Sequence, residues 1–142
     1  WDECQALIPG LPENVKVTSY GAVMPTQVPG IFANYDLFFF PSRGENYGHV
    51  IAESVSVGTK VLISNNTPWL NLASEGLGWD VDLQDDSVFV RIIEDMAAKG
   101  QAERLLERQD VKVNAIKRLL DPKVVNDNRA LFSVSEVYRL AR

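Results

Sequence analysis

Cysteine and histidine are almost missing from this chain of 142 residues, Cys4 and His49 being the single example of each. A lone cysteine excludes an internal disulfide and any thiolate-rich metal site, and it fits a reducing compartment. Long apolar runs are missing as well. The longest, Leu37 to Phe40, is far too short to cross a bilayer, and no signal-peptide pattern is visible. The net charge is −5 and no Lys/Arg cluster stands out, which argues against nucleic acid and anionic membrane as partners of this segment. Internal repeats and low-complexity stretches are absent too. What is present is 46% apolar and 23% charged, the composition of one soluble globular domain with a sizeable core. The opening, Trp1-Asp2-Glu3-Cys4-Gln5-Ala6-Leu7-Ile8, has apolar residues at helical spacing and no initiator Met. The expectation is a helix entered partway, and hence a segment of a longer protein.

After Pro9-Gly10, the stretch Val15 to Tyr20 alternates apolar and polar residues, which predicts a half-buried strand. Gly21 and Pro25 punctuate its exit, and Thr26 is placed to cap a short helix through Asn34 despite Pro29-Gly30 within it. Leu37 to Phe40 reads as a strand apolar on both faces, the mark of a buried parallel sheet. A helix from about Gly48 to Val57 follows, closed by Gly58-Thr59. Lys60 to Ser64 is the next buried strand. Thr67 as cap and Pro68 as first helical residue predict a further helix ending at Gly76 and Gly78. Trp79 to Leu83 alternates like a last, edge strand. Ser87 to Lys99 is amphipathic, carrying Val88, Ile92, Ile93, Met96 and Ala97. A helical C-terminal part begins at about Gln101 and runs to Leu120, Pro122 breaks it, and Ser133 to Arg142 reads as a final helix. The order α-β-α-β-α-β-α-β-α-α predicts an α/β fold, a Rossmann-like open parallel sheet with helices on both faces.

The richest stretch is Pro41 to Glu53, P-S-R-G-E-N-Y-G-H-V-I-A-E, between a strand's carboxyl end and a helix amino terminus. In open α/β sheets ligands bind at such junctions. A helix starting at Gly48-His49 presents unpaired N–H groups and a positive dipole end, which suits a diphosphate. Gly48 lacks a Cβ and lets a ligand oxygen approach the backbone. Glu53 lies five residues on, roughly 7 Å along the axis, comparable to the step from a diphosphate to its ribose hydroxyls. Glu45, on the loop, faces the other side of the phosphates, where a sugar would lie. The pair thus spaces sugar, diphosphate and ribose.

Taken singly, Glu45 is also explained as an acidic residue ahead of a helix, favoured by about 0.3–1 kcal/mol, and Glu53 as a solvated helix-face residue. Together, around Gly48 and after a buried strand, they point to a site. His49 is placed to reach phosphate or to serve as a cap-region residue, and Arg43 to face the diphosphate or solvent. Gly21 and Val23 are where a base would rest, or a plain turn. Trp69 and Trp79 read as packing residues rather than sugar platforms, and Glu103 to Lys117 as a solvated helix face.

Glu45 and Glu53 form an E-x7-E pattern, and the stretch Pro41 to Ser64, P-S-R-G-E-N-Y-G-H-V-I-A-E-S-V-S-V-G-T-K-V-L-I-S, resembles the donor-binding motif of family 4 glycosyltransferases. Thr67-Pro68-Trp69 and Gly78-Trp79-Asp80 look like a bacterial subset that makes surface polysaccharides, and the resemblance covers about residues 1–100. It implies a partial GT-B C-terminal domain, with residues 1–142 a fragment that binds a nucleotide-sugar donor, UDP- or GDP-linked. It further implies transfer with retention to a saccharide or lipid-linked acceptor, without a metal or other cofactor. Glu53 would bind the ribose and Glu45 would act at the donor sugar as the catalytic carboxylate. Backbone amides near Tyr47, Gly48 and His49, with Arg43, would meet the sugar and diphosphate, and the departing phosphate would help take the acceptor's proton.

The implied partner is an N-terminal acceptor domain of the same chain. The implied location is cytoplasmic, with peripheral association at the inner face of the membrane left open. Lys60 stands where relatives have Pro, and Asn65 where many have Asp. The family's basic phosphate-gripping loop would precede Trp1, so the segment alone is expected to be inactive and to bind donor weakly. Two other readings remain. A nucleotide-sugar epimerase shares the GT-B architecture. A flavodoxin-like regulatory module such as a receiver domain is disfavoured, because Asp36 precedes its strand rather than ending it.

Overall fold

A computed structural model describes residues 2–122. In chain order it contains α1 (Asp2–Leu7), 3-10 turns at Ile8–Gly10 and Pro25–Gln27, α2 (Val28–Phe32), β1 (Leu37–Phe40), α3 (His49–Ser56), β2 (Lys60–Ser64), β3 (Gly78–Val81), α4 (Asp86–Ala98) and α5 (Gln101–Leu119). The strands form one parallel sheet in the order β1-β2-β3. Leu37 stands opposite Lys60 and Val61 opposite Gly78.

The sheet centres on β2 because Val61, Leu62 and Ile63 are apolar on both faces and fully buried. Alternation sends Val61 and Ile63 to one side, against Ile51 and Val55 of α3 and Val111 and Ala115 of α5. Leu62 points to the other side, against Phe89 and Ile92 of α4. Helices therefore cover both faces of an open Rossmann-like sheet, as the element order predicts. Residue 78 must be glycine for this sheet to close up. A Cβ there would lie 1.9 Å from the Val61 carbonyl oxygen.

Charged residues on α5 tie it to the amino-terminal ends of the strands. Arg104 and Arg108 reach the Asp36 carboxylate at 3.1 and 3.5 Å, just before β1. Glu107 takes Lys60 at the start of β2 at 3.0 Å and also pairs with Lys99. The stretch Glu103 to Lys117 is thus a solvated face only in part, since Val111 and Ala115 within it are buried.

Several expectations need correction. Val15 to Tyr20 is exposed and forms no strand, because among the described residues no neighbouring strand offers it a ladder. The sheet accordingly has three strands rather than four. Strand β1 is an edge, and Phe39 is 48% exposed. No helix follows Pro68. The chain turns instead, with Asn71 left-handed at φ 64° and its N–H and that of Leu72 taken by Asp80. The last strand is Gly78–Val81, since the Asp82 carboxylate turns the chain by accepting Gln84 N–H at 2.8 Å.

In the Thr26–Asn34 region the proline sits in the first turn of α2, where a missing N–H costs nothing. Helix α4 is capped by Asp85, one residue before its start, and buries Phe89, Ile92 and Met96 while leaving Ile93 exposed. The helix expected over Ser133 to Arg142 lies outside the described residues.

Candidate donor site at the end of β1

Strand β1 delivers the chain to the carboxyl-end edge of the sheet, and residues 41–48 loop across it into α3. The loop is fixed from within and from below. The Ser42 hydroxyl donates to the Gly44 carbonyl at 2.6 Å and accepts the Gly44 N–H at 3.2 Å. Ser64, the last residue of β2, donates its hydroxyl to the Ser42 carbonyl. The Glu45 carboxylate accepts the N–H of Asn46 at 2.9 Å, which holds this half-buried side chain against its own loop.

Gly48 is the N-cap of α3 and is left-handed, at φ 79° and ψ 48°. This conformation favours glycine. Space is tight as well, since a Cβ would fall 2.8 Å from Ile51 Cδ1 and 3.0 Å from Trp69 Nε1. The Gly48 carbonyl accepts the N–H groups of Ile51 and Ala52 at 2.9 and 3.1 Å, closing the first turn. The N–H groups of Gly48 and His49 have no acceptor among the described residues. They are the helix's orphan donors, at its positive end.

The remaining predicted residues lie around this terminus. The His49 and Tyr47 rings stand 4.4 Å apart between centroids, with His49 exposed and Tyr47 half-buried. Arg43 is exposed, and its guanidinium has no partner among the described residues. Glu53 is half-buried on α3, and its carboxylate makes no hydrogen bond or ion pair among the described residues. The junction thus offers backbone donors at its centre and a carboxylate on either side along the chain. It is polar, only partly covered, and suited to an anionic ligand with hydroxyls flanking it.

Two residues that sequence reasoning undervalued support the site. Trp69, read as packing, is indeed 5% exposed, but its indole N–H also donates to the Tyr47 carbonyl at 2.7 Å. The signal was available, since a buried indole N–H requires an acceptor. Asp80, quoted only as part of a motif, organises residues 71–72 of the loop that carries Trp69. Its partners could not be named from a local pattern.

A parallel sheet wrapped by helices, with a glycine-started helix at a strand's carboxyl end, defines a Rossmann-like α/β domain. A model of the glycosyl transferases group 1 family matches residues 2–118, and the chain belongs to that family. It is also similar to an uncharacterized 41.2 kDa protein in the cps region of Klebsiella pneumoniae, 31% identical over 83 residues. That match covers 58% of this chain and 23% of the relative, so the chain spans less than a quarter of the relative's length. No solved structure is similar enough to count as a match.

Proposed function

We propose that this chain is the donor-binding part of a retaining glycosyltransferase of family 4 and GT-B architecture, taking a UDP- or GDP-sugar. The observation that carries the reading is the left-handed Gly48 at the start of α3, whose N–H and that of His49 have no acceptor among the described residues. A diphosphate supplies the acceptors those donors need. Glu53, with an unengaged carboxylate, accepts hydrogen bonds from the vicinal ribose hydroxyls. Glu45 orients the hydroxyls of the donor sugar from the preceding loop and is the catalytic carboxylate. Arg43 and His49 approach the diphosphate from the exposed side, and Tyr47 borders the sugar.

In the reaction, the bond between the anomeric carbon and the diphosphate breaks, and the acceptor hydroxyl bonds to the same face of that carbon. The acceptor's proton passes to the departing phosphate. Charge grows on that phosphate as the bond lengthens, and the α3 terminus lies where it stabilises this charge most. The acceptor is a saccharide or a lipid-linked molecule, held by a separate acceptor domain. A relative named for a cps region supports a place in bacterial surface-polysaccharide synthesis. No helix among the described residues is long and apolar enough to cross a membrane, and the proposed location is cytoplasmic, with peripheral contact at the inner membrane face.

Saturation-transfer NMR on the full-length protein with a panel of UDP- and GDP-sugars tests the reading. Transfer to the protons of the ribose and sugar is expected for one base. Absence of transfer from every donor would overturn it, and a free epimer of the nucleotide sugar as product would move the assignment to an epimerase.

A further inference from the structure

We propose that Trp69 is a positioning residue whose indole aims the Gly48 N–H into the donor site, an inference that rests on the donor-site reading above. The peptide unit joining Tyr47 to Gly48 is planar and trans, so its C=O and N–H point in opposite directions. Trp69 Nε1 holds the carbonyl of that unit from the core side, at 2.7 Å. The N–H at the other end of the same plane therefore points away from the indole, on a glycine that is itself buried, and it has no acceptor among the described residues. The indole lies flush against this peptide, since a Cβ on Gly48 would meet Trp69 Nε1 at 3.0 Å and Cδ1 at 3.1 Å. With 5% of its surface exposed, Trp69 is not a platform for a sugar. It acts through the backbone.

The indole is itself held on other sides. The Arg118 guanidinium, from α5, stands over the ring at 4.7 Å. Arg118 is fixed in turn by the Glu75 carboxylate at 2.5 Å and the Leu70 carbonyl at 3.1 Å. The backbone N–H of Trp69 donates to the Thr67 hydroxyl at 3.2 Å, and Asp80 clamps Asn71 and Leu72. The Thr67-Pro68-Trp69 and Gly78-Trp79-Asp80 motifs thus form one support, running from β3 through a loop to the first donor of α3. Such a hydrogen bond fixes an orientation that the left-handed glycine alone leaves soft.

The test is Trp69→Phe in the full-length protein, which keeps a ring beneath Arg118 but removes the N–H. Binding of UDP, GDP and inorganic pyrophosphate is measured by calorimetry, and the Gly48 amide resonance is followed without ligand. Pyrophosphate and the preferred nucleotide are expected to lose affinity by a similar factor, about five- to tenfold, with the Gly48 amide displaced. Ile92→Val, in the core cluster on the opposite face of the sheet, lowers stability and is expected to leave affinity unchanged. Arg118→Ala, which frees one face of the indole, is expected to weaken binding in the same direction by a smaller factor. Wild-type affinity in Trp69→Phe, or an equal loss in Ile92→Val, overturns the positioning role. If the unmodified protein binds none of the three probes, the donor-site reading itself falls, and this inference with it.

Discussion

The Asp80 carboxylate accepts the backbone N–H of Leu72 at 2.9 Å, so that a β3 residue shapes a loop eight positions before it. Its other oxygen takes the Asn71 N–H at 3.1 Å, where the chain is left-handed. Asp80→Ala leaves both donors without their acceptor next to the fully buried Leu72. The expected loss is about 1–3 kcal/mol, read as a lower urea midpoint with an unchanged slope. Asp80→Asn, which retains one acceptor oxygen, should lose less.

That clamp also explains where the sequence was legible and where it was not. Strand β2 and helices α3 and α5 fall within a residue or so of their expected bounds, because each carries a dense local pattern and its own start or stop signal. The segment after Pro68 has helix-start chemistry, but the residue that decides it, Asp80, lies outside any local window. Val15 to Tyr20 has the alternation of a strand, yet a strand exists only where another supplies a ladder. At the candidate site, the placing of Glu45, Gly48 and Glu53 around the start of α3 was readable from spacing. The Trp69 contact was not, because it joins residues 22 positions apart.

Val15 to Tyr20 gives a direct check by hydrogen exchange on this chain. The amides of Val17 to Tyr20 have no backbone acceptor among the described residues, whereas Val61 to Ile63 are buried in the centre of the sheet. Exchange at residues 17–20 should be close to that of an unprotected peptide, with strong protection across β2. Comparable protection in the two segments would contradict the three-strand sheet.

The glycines at 48 and 78 should respond differently to alanine. At Gly48 the neighbours are side-chain atoms that can shift, so Gly48→Ala is expected to fold with a loss of about 1–2 kcal/mol from its left-handed backbone. Donor affinity should fall with it. At Gly78 the obstacle is the backbone of β2, with 1.9 Å to an oxygen, so Gly78→Ala should prevent the sheet from forming. Circular dichroism and a thermal scan separate the two outcomes.

Glu107 supplies a pH dependence. Burial raises the pKa of its carboxyl, but the hydrogen bonds from Lys99 and Lys60 outweigh burial and hold it below its usual 4.5. Both lysines converge on one oxygen, and the other is buried without a partner. Because the folded pKa is depressed, the stabilisation is complete above pH 4.5 or so and is lost as pH falls through the lower folded value. Glu107→Gln should therefore lower the urea midpoint most near neutral pH, with the gap from the unmodified protein closing as the pH falls through the depressed folded pKa. A gap that widened on acidification would contradict the assignment.

The central claim is that the start of α3 holds a nucleoside diphosphate, with Glu53 on its ribose. Calorimetry of UDP, GDP and inorganic pyrophosphate binding to the full-length Glu53→Ala protein tests it most directly. The expected result is a fall of at least about tenfold for the preferred nucleotide, with pyrophosphate affinity and the unfolding midpoint unchanged. Nucleotide affinity equal to that of the unmodified protein, with the fold intact, would contradict the account.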